Sequence, residues 1–307
     1  MSDPTRRQFI QSLTAVVAAP AIINTNRAAK RLPIAFSTLG CPKWNWKTIL
    51  SQAAQSGYAA IELRGILGEM DLTKVPEFTG DRLKASLRDL SALGLKVSDL
   101  GSSARMHEPD PAKRAENLNE AKRFIDLAYR MNVPYIRVFP DKFVPGEERK
   151  VTLERIISSL RELGDYAKGS SVAVLVESHG DFARSADVLE LMQGTGMNNV
   201  AFLWDAHHTC VVGEKPEETY RQLGRYTRHT HLKDSVPNGN ERRYVLTGTG
   251  QIPIKETVKA LAAGGYKGYY CFEWEKHWHP EIEEPEIAFP HYARVMREYL
   301  TEAGVKA

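Results

Sequence analysis

The chain has 307 residues, of which 42% are hydrophobic, and a formal net charge of +3. That length suits one large domain or two small ones with a sizeable buried core, and a small net charge without a basic run gives nucleic-acid binding no electrostatic support. Three cysteines, Cys41, Cys210 and Cys271, are too few and too scattered for a disulfide framework or a cysteine-based zinc site.

The first segment differs from the rest. TRRQFIQSLTAVVAAPAI (5–22) sets Arg6 and Arg7 ahead of an apolar, small-residue run. A twin arginine before such a run predicts a Tat export signal and a periplasmic or otherwise exported protein. Cleavage is expected after Ala21 or around Ala28–Ala29. The run is too short for a stable membrane span, which needs about 20 apolar residues. Residues 1–30 are therefore read as signal and linker, and 31–307 as the folded domain.

From Leu32 the pattern alternates between short apolar strands and longer segments of helical period. The predicted strands are 32–39, 59–64, 96–102, 135–140, 172–178, 200–206, 226–233 and 268–275. The predicted helices are 46–57, 80–94, 110–132, 153–170, 185–196 and 254–266. Glycines follow several of them, and Ser185 stands where an N-cap would. Segments 141–152, 234–251 and 275–290 read as long loops, which in a compact barrel usually cover the site. Eight β-then-α units in this length predict a single-domain (β/α)8 TIM barrel. An open dinucleotide-binding sheet would want G-x-G-x-x-G after the first strand, and FSTLGCPKW does not supply it.

In such a barrel chemistry gathers at the C-terminal strand ends. There the last four strands carry VESHG, WDAHHT, HTHLKD and FEWEKHW. Side chains alternate along a strand, so one acid or imidazole from each points into the mouth: Glu177, Asp205, His231 and Glu273. Three carboxylates and one imidazole suit a single divalent cation, with Mn²⁺ the first choice and Mg²⁺, Co²⁺ or Zn²⁺ as alternatives. The competing reading is a hydrogen-bonded polar cap on the barrel.

Together these four motifs resemble the xylose-isomerase-like sugar phosphate isomerase/epimerase family over about residues 33–300. The resemblance implies that Glu177, Asp205, His231 and Glu273 bind one metal. It also implies that Glu177 and Glu273 flank the substrate as an acid/base pair, and that His208 contacts substrate oxygens. The implied activity is isomerisation or epimerisation of a keto-sugar or related carbohydrate through an enediolate, with dehydration or lyase chemistry open to the same site. An apurinic-site endonuclease shares the barrel, but would need further histidine ligands from early strands and a basic groove. An exported, non-catalytic carbohydrate-binding protein is the rival from another class.

Lys233, His179 and His107 are further candidates for substrate contact. A surface lysine is the other reading of Lys233. His229 is expected one layer deeper and His207 away from the mouth. Glu62, Arg64 and Arg137 fit either a salt bridge inside the barrel or substrate contact. Trp44, Trp46, Trp274 and Trp278 are expected in loops near the mouth, where their faces suit sugar stacking or lid packing. No phosphate cradle stands out after the last two strands, and export disfavours a phosphorylated metabolite, so a free sugar, keto-sugar or keto-glycoside is expected. A homo-oligomer stays open.

Overall fold

The computed structural model describes residues 31–307. The expected export signal and its cleavage sites lie outside the described residues.

Eight parallel strands close into a barrel. In chain order they are β1 (Ile34–Ser37), β2 (Ala60–Leu63), β3 (Lys96–Arg105), β4 (Tyr135–Phe139), β5 (Ala173–Glu177), β6 (Val200–Asp205), β7 (Thr227–Leu232) and, after a hairpin, β10 (Tyr270–Phe272). Each pairs with its neighbour in sequence, and β10 closes the ring on β1 through Ala35↔Cys271. Seven lie within the predicted segments, and β3 begins where predicted but runs three residues further, to Arg105. This is the (β/α)8 TIM barrel that the rhythm of the chain predicts.

The helices are α1 (Trp46–Gln55), α2 (Gly80–Ala92), α3 (Pro111–Met131), α4 (Arg149–Tyr166), α5 (Ser185–Thr195), α6 (Ala206–Val211), α7 (Pro216–Leu223), α8 (Ile254–Ala263) and α9 (Pro285–Glu302). They pack outside the barrel on the outward strand residues, such as Phe36, Ile61, Val174, Phe202 and Phe272, to form the main hydrophobic core. Inside the barrel the apolar filling is thin. Ala35, Ala60 and Cys271 form one small cluster, and Leu175, Ala201 and Leu203 another. The remaining inward positions carry Glu62, Asp99, Arg137, Glu177, His229 and His231, all buried. Most of these charges are paired inside the barrel, His229 and His231 with Glu62 and Arg137 with Glu177, whereas neither oxygen of Asp99 has a partner among the described residues.

Three expectations need correction. The segment 234–251 is not a plain loop: β8 (Asp234–Asn238) and β9 (Glu241–Val245) pair antiparallel across a turn at Gly239. Asp234 Oδ1 and Oδ2 accept hydrogen bonds from the backbone N–H of Gly248, Gly250 and Ile252, which ties the returning strand to the barrel. The expected loops 141–152 and 275–290 are shorter, because α4 starts at Arg149 and α9 at Pro285. Ser185 does not cap its helix. It lies inside α5, and its hydroxyl bonds Glu214 at 2.9 Å instead. None of the three cysteines is in a disulfide. Among the described residues no helix is long and apolar enough to cross a membrane.

Candidate active site

The C-terminal end of the barrel opens into a cavity of about 210 Å³. Four inward side chains from consecutive barrel strands meet at its floor. Glu177 ends β5, Asp205 ends β6 and His231 lies in β7, with Asp205 and His231 directly opposite in the parallel register. Glu273 follows β10, its backbone N–H still donating to Leu232 O. Each offers one ligand atom, and the four atoms lie within 4.8 Å of one another. Donors around one cation at about 2.0–2.5 Å stand no more than roughly 5 Å apart, so this cluster has the size of a single metal site.

The charges of the cluster support the same fit. His231 Nδ1 lies 3.1 Å from Glu177 Oε1 and 3.2 Å from Glu273 Oε1. Burial lowers the basicity of His231, but Glu273, Glu62 and Glu177 outweigh it and raise the imidazole well above its ordinary value. The Lys233 ammonium is drawn in as well. Its Nζ is 2.6 Å from Asp205 Oδ2 and 2.9 Å from Glu275 Oε1, and it also pairs with Glu273 Oε2. Burial pushes Asp205 up to about 6 against the pull of Lys233. Three buried carboxylates thus collect a protonated imidazole and an ammonium, the response expected of a site that calls for a cation.

The two glutamates use their oxygens differently. Oε1 of each turns toward His231, while Oε2 of Glu177 lies 3.2 Å from Arg137 Nε and Oε2 of Glu273 meets Lys233. Burial raises Glu177, but Arg137 and His231 outweigh it and pull its carboxyl down to about 2. Asp205 serves two functions locally. Its Oδ1 accepts from the backbone N–H of His207 at 2.9 Å and so caps α6, and that turn sets His208 Nε2 3.4 Å from Asp205 Oδ2. Burial, then Lys233, pushes His208 down to about 3, so its ring is neutral.

His208, His179 and Lys233 line the cavity, and His107 does not. His107 Nδ1 stands behind the wall, 3.7 Å from Asp141 Oδ2. His179 lies on Phe139 and faces Asp141 Oδ1 at 3.5 Å. Lys233 is 1% exposed, which removes the surface-lysine reading. His207 turns away to Ser235 Oγ at 2.8 Å. Of the four tryptophans expected near the mouth only Trp278, 56% exposed, borders the cavity. Trp44 and Trp274, in loops, and Trp46, the first residue of α1, are buried in the outer core.

Several residues gain a place that the strand ends did not announce. His231 Nε2 is 2.6 Å from Glu62 Oε2, and His229 Nε2 is 3.0 Å from the same oxygen. A carboxylate behind a ligating imidazole fixes its tautomer and orientation. Glu62, His229, His231 and Cys271 also cluster, but there the imidazole nitrogens are engaged by Glu62 itself. Arg105, Asp141 and Glu275 line the cavity as well. Of the two readings of Glu62, the ion pair inside the barrel is the one the structure shows, with His229 and His231 as its partners.

Inosose dehydratase of Geobacillus thermodenitrificans is 28% identical over 287 residues, covering 82% of this chain and 88% of that protein. Fructoselysine 3-epimerase of Shigella flexneri is 24% identical, covering 72% of this chain and 82% of that protein. A solved xylose isomerase-like TIM barrel protein from Mycobacterium smegmatis, in complex with magnesium, superposes with a TM-score of 0.66 at 17% identity over 89% of this chain and 97% of that one. The family model described as the xylose isomerase-like TIM barrel matches residues 50–299, and the chain belongs to that family.

Proposed function

We propose that the protein is a divalent-metal-dependent isomerase or epimerase of a keto-sugar or related carbohydrate. The observation that carries this reading is the convergence of Glu177, Asp205, His231 and Glu273 within 4.8 Å at the floor of a cavity. These four would hold the cation. When bound, it would acidify the C–H beside a substrate carbonyl and spread the charge of the resulting enediolate.

The remaining chemistry falls to the chain. With Oε1 of each glutamate turned to the centre, Oε2 of Glu177 and Oε2 of Glu273 are the oxygens left to move protons. One takes the proton from carbon and the other returns it. Return to the same carbon from the opposite face is epimerisation, and return to the neighbouring carbon is isomerisation. Lys233 steadies Glu273 Oε2, and neutral His208 is placed to donate to or accept from a substrate hydroxyl. Trp278 offers an aromatic face at the rim.

Dehydration of a keto-sugar or keto-cyclitol is the second reading, favoured by the similarity to an inosose dehydratase over most of both chains. The same proton abstraction, followed by loss of a β-hydroxyl, performs it. A panel of keto-sugars and inososes, incubated with Mn²⁺-loaded protein in D₂O, separates the readings. Deuterium at carbon with a new epimer supports the first, and an enone absorbance the second. Chelation should stop either reaction, and tight binding without any exchange would leave a carbohydrate-binding protein. Export through Arg6 and Arg7 belongs to the same proposal. Arg6→Lys with Arg7→Lys should retain the protein in the cytoplasm, and unchanged periplasmic delivery would remove the export reading.

A further inference from the structure

Arg64, just past β2, lines the cavity and is 5% exposed. Thr38 Oγ1 accepts from the backbone N–H of Arg64 at 2.9 Å and of Gly65 at 3.2 Å, which fixes the chain where it leaves the strand. The guanidinium has one side-chain partner: its Nη2 donates to Ser103 Oγ at 3.0 Å. Its Nη1 is buried and has no hydrogen-bond partner among the described residues.

The other cavity cations are provided for. Arg105 Nε faces Asp141 at 3.7 Å, Arg137 Nε faces Glu177 at 3.2 Å, and Lys233 has three carboxylates. Among the described residues no carboxylate pairs with Arg64. Arg137 is also incompletely satisfied: its Nη1 lacks a partner, and its Nε, though 3.2 Å from Glu177, makes no hydrogen bond. The two guanidiniums share one wall because residue 101 is glycine. A Cβ there would stand 2.7 Å from Arg64 Cδ and 2.8 Å from Arg137 Nη2. Burial, then the neighbouring Arg137, pushes Arg64 down to about 10, so it remains a cation, but one held at a cost.

A buried, unpaired guanidinium is among the more expensive arrangements a fold can hold. Its natural relief is an anion arriving from the cavity. Arg64 and Arg137 each keep an unpartnered Nη1, and both pack against Gly101 in the lining of one cavity, where planar guanidiniums suit a carboxylate. A guanidinium can also receive a phosphate, so the phosphorylated sugar is the competing occupant that the test sets against the carboxylate.

We infer that Arg64, with Arg137 beside it, receives a carboxylate of the substrate, so that the enzyme acts on an acidic sugar of the uronate or keto-aldonate class. The inference rests on the carbohydrate-enzyme reading above and names its substrate class.

The test is calorimetric titration of the Mn²⁺-loaded protein with D-fructuronate, D-fructose and D-fructose 6-phosphate, which differ at one terminal carbon. A charge-assisted contact of this kind is worth roughly 10–100-fold in affinity, so fructuronate should bind tighter than fructose by that factor. Arg64→Met should bring the ratio of the two affinities to about one, and Arg64→Lys should keep only part of it. Thermal melts show whether each variant folds, and if Arg64→Met does not, the partial loss in Arg64→Lys carries the test. Equal affinity for fructuronate and fructose, no binding of fructuronate, or a ratio that survives substitution of Arg64 would overturn the inference. Tighter binding of the phosphate than of the uronate would overturn it too. Failure of the catalytic reading is distinguishable: the uronate preference would then persist with no deuterium exchange into any keto-sugar.

Discussion

His231 Nε2 and Glu62 Oε2 lie 2.6 Å apart inside the barrel, though the two residues are 169 positions apart in the chain. The contact presents His231 Nδ1 to Glu177 and Glu273 and keeps the ring from turning. Glu62→Gln leaves an acceptor but removes the charge, and Glu62→Ala removes both. Affinity for Mn²⁺ should fall by about 10–100-fold in the alanine variant and less in the glutamine variant. Competition with a chromogenic chelator measures this, and unchanged affinity in both variants would mean that Glu62 only fills space.

Asp205→Ala and His231→Ala each remove a proposed ligand outright. Elemental analysis should show the bound cation lost from both purified variants, and full occupancy in either would take that residue out of the ligand set.

Glu177→Gln and Glu273→Gln keep the size and one oxygen of each side chain while abolishing its proton chemistry. Turnover should fall by roughly 10²–10⁴-fold in each, with metal content retained in part. Solvent deuterium exchange identifies which glutamate removes the proton, since that variant alone should lose exchange altogether. Near-normal turnover in both would refute the two-carboxylate mechanism.

Lys233 carries the positive charge that three carboxylates share. Lys233→Met leaves Asp205, Glu273 and Glu275 facing one another across a buried space. In chelator the variant should be less stable than the parent by about 3–5 kcal/mol, the usual cost of breaking a buried pair from one side. Added Mn²⁺ should restore more stability to the variant than to the parent. Denaturant melts with and without metal read both effects, and identical metal-free stability would place the burden of neutralisation elsewhere.

Gly180 packs against the backbone of Asp141, a residue of the cavity wall. Gly180 has φ +59°, and a Cβ on it would lie 2.1 Å from Asp141 O. Asp141 itself has φ +72°, unusual for a residue with a side chain, and its carboxylate faces Arg105, His107 and His179. Gly180→Ala should cost at least about 1–3 kcal/mol through left-handed strain alone and displace the Asp141 loop. Unaltered thermal stability would show that the loop yields freely.

What the sequence by itself determined was everything that rests on short periods. Two-residue alternation marked eight strands, their number gave the barrel, and parity at the C-terminal ends of the last four, together with the family resemblance of their motifs, singled out Glu177, Asp205, His231 and Glu273. Parity likewise placed His229 below the mouth and His207 away from it. The tertiary structure decided what depends on closure of the ring. Glu62 reaches His231, Arg137 reaches Glu177 and Arg64 is left without a partner only because early strands come to stand opposite late ones. The hairpin after β7 depends on Asp234, whose carboxylate gathers backbone groups from residues 248–252. The three buried tryptophans and the hydroxyl of Ser185 were misplaced for a similar reason: their partners are far along the chain, and no local period records which distant group a side chain will meet.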